Sequence, residues 1–163
     1  QHPARLPGLG LLMADAPIWE DVVDHLVGAL AAFDGLAQVQ VVEGLPGDLA
    51  VVSDELIAVD DEVTSEASMP VAAAGTKPYD DVFEVLLRIR VRGRATRAET
   101  KTRLAEIHAA IHELLAGDPS FGDLDGVLSA AIVRRKRRVT STTDGPLGYG
   151  EVTLSIHSRI TPT

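Results

Sequence analysis

Cysteine is absent from the 163-residue sequence, and aromatic residues make up only 4% of it. Without thiols there are no disulfide scaffolds and no thiolate metal sites, which is compatible with assembly in a reducing compartment. So few rings leave Leu, Val, Ile and Ala to fill the core and argue against base-stacking platforms. Long hydrophobic runs are missing too. Stretches such as residues 26–33 fall far short of the roughly 18 to 20 residues a membrane-spanning helix needs, so no membrane partner is expected. Positive charge is missing locally: residues 43–76 carry eight acids (Glu43, Asp48, Asp54, Glu55, Asp60, Asp61, Glu62, Glu66) and no Lys or Arg.

The composition that remains, 45% hydrophobic and 24% charged, suits one compact domain. Its formal charge of −9 hides a segregated pattern, because twelve of the fifteen basic residues lie in two windows. One holds Arg88, Arg90, Arg92, Arg94, Arg97, Lys101 and Arg103; the other is the unbroken run Arg134, Arg135, Lys136, Arg137, Arg138.

Residues 1–12, with two prolines and two glycines, read as an N-terminal arm whose apolar run is too short for a signal peptide; residues 13–163 read as a single domain. Ile18, Val22, Leu26, Leu30 and Phe33 recur at helical spacing. Pro17 suits the first turn, Glu20 and Asp21 complement the dipole, and Gly35 is expected to end the helix in a left-handed conformation. Short strands are expected at residues 38–43 and 56–59, then a long acidic loop at about residues 60–80. Residues 82–92 alternate strictly, with Phe83, Val85, Leu87, Ile89 and Val91 on one face and Arg88, Arg90 and Arg92 on the other. Thr96 and Glu99 form a capping box for a helix at residues 97–116, buried through Leu104, Ile107, Ile111, Leu114 and Leu115. Two long strands, at residues 127–139 and 151–160, close the chain through a connection at 143–148. The order implies an α+β fold: a mostly antiparallel sheet of about four to five strands with two helices packed on one face.

Motifs for catalysis are not found. His108 and His112 stand one helical turn apart, but Ala109 occupies the place of the glutamate that follows the first histidine in zinc proteases, so two boundary histidines are the simpler reading. Gly145, Gly148 and Gly150 lack the dinucleotide-binding spacing and a following helix. Asp60-Asp61-Glu62 lacks the alternating ligands of an EF-hand. No catalytic residue, metal or cofactor is assigned. The basic windows carry more information. Both faces of the 134–138 run are charged, so this strand extends beyond the core and calls for a partner. That partner is the acidic segment, in the same subunit or a neighbour, or nucleic-acid phosphate; the simplest account is a solvated sheet face with edge charges. Candidate interface residues are therefore Glu43, Asp54, Glu55, Asp60, Asp61, Glu62, Glu66, Arg88, Arg90, Arg92, Arg134, Arg135, Lys136, Arg137 and Arg138.

The opening helix, the strand and turn Val39-Gln40-Val41-Val42-Glu43-Gly44-Leu45-Pro46-Gly47-Asp48, the acidic loop, the strand ending at Arg92, the helix ending Leu114-Leu115-Ala116-Gly117-Asp118-Pro119 and the two closing strands together resemble a known family. Across residues 15–160 the pattern is similar to the tail terminator, or tail completion, proteins of long-tailed bacteriophages, particularly those infecting actinobacteria. The residues before Met13 depart from that pattern. The resemblance implies a structural virion protein without an active site, located at the head–tail junction and assembled in the host cytoplasm. It implies a homo-oligomer, a hexameric ring that caps the head-proximal end of the tail tube, stops tube polymerisation and meets a neck or head-completion protein. DNA passes through the lumen without sequence-specific binding. A different head–tail connector or neck protein is the nearest alternative, and an arginine-rich nucleic-acid-binding domain a more distant one. Identical subunits in a ring meet through unlike surfaces. The acidic segment of one copy is therefore expected to face Arg88, Arg90, Arg92 or the 134–138 run of the next.

Overall fold

The computed structural model describes residues 16–44, 53–60, 64–68, 79–122, 124 and 126–160. The expected arm at residues 1–12, together with Asp48, Asp61 and Glu62, lies outside them. Helix α1 (Ala16–Ala32) begins early enough that Glu20 and Asp21 fall beyond its first turn, where no acidic residue stands. Their support of the dipole is correspondingly small. Gly35 does not adopt the left-handed conformation expected of it; it sits inside a 3-10 turn, Asp34–Leu36. What it supplies is room, since a Cβ there would lie 3.0 Å from the Phe33 ring. The turn delivers Leu36 into the core.

The strands are β1 (Gln40–Glu43), β2 (Glu55–Val59), β3 (Thr64–Ser68), β4 (Tyr79–Val91), β5 (Val127–Thr142) and β6 (Gly145–Ile160), with helix α2 (Arg97–Gly117) between β4 and β5. Their order is β1-β2-β4-β6-β5, and β3 also pairs with β4. Only β1 and β2 run parallel; all other neighbours are antiparallel. The α+β architecture expected from the sequence is therefore present, with five strands in one path and β3 as a sixth.

Strand β3 lies within the stretch expected to be a loop. It continues along the side of β4 that β2 occupies: Val59 pairs with Leu87, and Thr64 with Glu84. Thr-Ser-Glu-Ala-Ser has no apolar alternation, so its extended state comes from backbone pairing to β4 and leaves no periodic signal. The closing hairpin is also tighter than expected. Thr142 pairs with Gly145, leaving only Thr143 and Asp144 as the turn. Gly145 has φ +109°, which glycine adopts without steric cost, and its carbonyl accepts the Thr142 hydroxyl at 2.7 Å.

One hydrophobic core lies between the helices and one face of the sheet. It joins Val22, Leu26 and Leu30 of α1 and Leu104, Ile107 and Ile111 of α2 to the inward residues of β4 and to Val152, Leu154 and Ile156 of β6. The expected capping box forms in its first half: Thr96 Oγ1 accepts from the Glu99 amide at 3.1 Å, while the Glu99 carboxylate reaches one residue beyond the cap and accepts from the Ala95 amide at 3.2 Å. Gly148 and Gly150 let α2 settle close on β6. A Cβ at Gly148 would lie 2.8 Å from Thr100 Cγ2, and one at Gly150 2.7 Å from His108 Nε2. Beyond α2, Asp118 accepts from His25 at 2.8 Å and the Phe121 ring stacks on that imidazole, tying α1 to the turn after α2.

Candidate subunit and partner interface

Three acids of the segment 43–66 are engaged by cations of their own chain. Glu55 begins β2 on the helix-facing side and is only 5% exposed. Arg103 of α2 clamps it with two hydrogen bonds, 2.7 Å from Nε and 2.8 Å from Nη2, and Arg94 adds a third at 2.8 Å. Burial alone would raise its pKa, but the bonds and charges of Arg103 and Arg94 outweigh it and hold the carboxyl below its ordinary value. Asp54 pairs with Arg92 at 3.2 Å, and Asp60 approaches Arg88 at 3.5 Å. These three acids thus meet cations of their own subunit, and Arg94 and Arg103, the partners of Glu55, are not among the cations expected for the acidic segment. Glu43 is exposed at the end of β1, and the backbone of Glu66 pairs with Val82.

The basic run of β5 behaves differently. A register shift between Ile132 and Arg134 adds a residue, Val133, which is 48% exposed, and resets the alternation. After it Arg135 lies opposite Val152 and Arg137 opposite Gly150, on the helix-facing side, while Arg134, Lys136 and Arg138 point to the open face. Arg134 reaches Glu84 at 2.8 Å, and the Arg138 guanidinium lies 5.5 Å from the centroid of Tyr149. Among the described residues no carboxylate lies within 4 Å of Arg135, Lys136, Arg137 or Arg138. Arg88, Arg90, Lys136 and Arg138 surround a shallow depression of about 310 Å³ on the open face, beside Tyr149 and Glu151. Arg90 Nη2 contacts the Ser53 carbonyl at 3.5 Å, and its Nε is buried without a partner among the described residues.

No protein-family model and no curated protein matches the chain. Its fold is similar to that of a chain in a solved structure titled "Virion of native gene transfer agent (GTA) particle", at 13% identity and a TM-score of 0.46, over 80% of this chain and 84% of that one.

The histidine pair divides rather than converges. His112 is exposed, whereas His108 is buried, 3% exposed, with neither ring nitrogen partnered among the described residues. It is no boundary residue: it packs over Gly150. Burial, reinforced by the charges of Arg137 and Arg135, lowers its pKa to about 4, so the ring is neutral at pH 7. Among the described residues no group of three or more His, Asp or Glu side chains could hold a metal ion. Sequence reasoning missed the Glu55–Arg103 clamp, although an acid at the head of the apolar run Leu56-Ile57-Ala58-Val59 was a signal for a buried, paired carboxylate.

Proposed function

We propose that this chain is a structural subunit of a phage-like virion: a ring-forming tail terminator that caps the head-proximal end of the tail tube, halts its polymerisation and joins it to the neck. The sequence resemblance supplies the role. The observation that carries it structurally is edge strand β5, whose outer side is unpaired among the described residues and whose four consecutive cations, Arg135 to Arg138, have no carboxylate within 4 Å among those residues. One or two charges protect an edge strand from aggregation. A continuous run of like charges repels itself and is relieved by an acidic surface on another subunit, which is how heterologous ring contacts are specified.

Nucleic-acid binding by the open face is the weaker reading. Arg88, Arg92 and Arg134 there are matched to Asp60, Asp54 and Glu84, and Glu151 adds negative charge beside the depression. A duplex binder would lose affinity steeply with salt; little binding to free DNA is expected at any salt concentration. Negative-stain imaging of the purified protein with polymerising tail-tube protein tests the proposal. Rings of uniform size on one end of shortened tubes are expected. Rings that never meet tubes would favour another connector or neck role, and monomers that leave tube length unchanged would refute it.

A further inference from the structure

The two ends of the sheet carry opposite charge. At one end α1 packs over β1 and β2, with Glu20, Asp21 and Asp24 exposed on the helix and Glu43 exposed at the end of β1. No Lys or Arg of the described residues comes within 4 Å of these carboxylates. At the other end Arg135 and Arg137 project on the helix-facing side of β5, and Lys101 of α2 shares a surface recess with Arg137. β1 and β5 are the outer strands of the five-strand path. Four inter-strand steps, roughly 19 Å, separate them. That strand spacing exceeds the screening length of about 8 Å at physiological salt, and among the described residues the α1 carboxylates and the β5 cations form no ion pair within one copy.

We propose that the helix-side cations of β5, Arg135 and Arg137 with Lys101, dock on Glu20, Asp21 and Asp24 of α1 in a second copy of this chain, head to tail. The inference rests on the ring reading above and names its faces. Both charged ends belong to the helix layer, so copies set side by side with their sheets in the same orientation bring them together. Asp54, Glu55 and Asp60 are already engaged internally, whereas Glu20, Asp21 and Asp24 form an exposed acidic group on one helix with no Lys or Arg of the described residues within 4 Å. A second copy is favoured over nucleic acid because it matches both ends at once, whereas a polyanion would leave the acidic end unmatched. Repetition of one such unlike contact generates a ring when the rotation closes.

Two charge-reversed variants of the full chain provide the test. One carries Arg135→Glu and Arg137→Glu; the other carries Glu20→Lys, Asp21→Lys and Asp24→Lys. All five side chains are exposed, and thermal melts of each variant check that it folds. Under conditions where the wild-type protein associates, each variant alone is expected to be monomeric by light scattering, because one end now repels its counterpart. An equimolar mixture is expected to recover the wild-type mass, since both alternating contacts are again complementary. A variant that associates like wild type, or a mixture of folded monomers that fails to recover, overturns the pairing while leaving the ring reading intact. A wild-type protein that stays monomeric overturns both.

Discussion

Glu55 shows how a single residue can hold two layers together. Its carboxylate sits at the head of β2 and receives bonds from the loop before α2 and from α2 itself. Glu55→Ala leaves Arg103 half of a broken buried pair, and a loss of about 3 kcal/mol is expected in denaturant unfolding; a loss within 0.5 kcal/mol would show that the clamp contributes little. His108 makes the complementary statement about pH. Its folded pKa of about 4 lies below the unfolded value of 6.5, so between these values the unfolded chain binds more protons. Stability from this site is complete above pH 6.5 and declines by about 2 to 3 kcal/mol as pH falls toward 4. Glu55, also depressed, adds its loss only below the ordinary carboxylate range. The groups facing His108 are Arg135 and Arg137 on β5, with His112 one turn further along its own helix. Comparing unfolding of wild type and His108→Leu across pH 4 to 7 isolates the site: the wild-type decline from pH 6.5 to 5 is expected to exceed that of the variant by the His108 contribution. An unchanged slope would assign the effect elsewhere.

At the scale of elements, the sequence was most legible where periodicity and capping agree. Alternation in β4 and the Thr96–Glu99 box located β4 and α2 because burial of one face and satisfaction of helix-end amides are local demands written in residue order. β3 was invisible because Thr-Ser-Glu-Ala-Ser carries no apolar alternation, and its backbone pairs with a neighbour whose position depends on the whole sheet. Gly148 and Gly150, whose spacing excludes a dinucleotide-binding motif, thin β6 beneath α2. Gly150→Ala places a Cβ against the buried His108 ring and is expected to cost about 1 to 3 kcal/mol in thermal or chemical unfolding. In a His108→Ala background the same change should cost markedly less; an equal cost in both backgrounds would mean that the ring is not what the glycine accommodates.

Across the whole molecule, the net charge of −9 conceals three arrangements among the described residues: internal pairs that knit β2 to β4 and α2, an acidic end over α1, and a basic edge on β5. The segregation of acids and bases was legible in the sequence, but which of them meet was not. Pairing depends on strand order, and the order β1-β2-β4-β6-β5 brings Asp54, Glu55 and Asp60 to arginines of the same chain while sending the 134–138 run to the far edge. The bulge at Val133, which decides which of those cations face the helix side, follows from β5 pairing with β6 and has no local signature. A subunit with unlike, oppositely charged ends is suited to closed head-to-tail assembly. Light scattering of the purified full chain, measured from low to high salt, tests this most directly. A single discrete mass well above a dimer, falling to the monomer as salt is raised, is the expected result; a monomer at every salt concentration, or an open-ended series of masses, would contradict it.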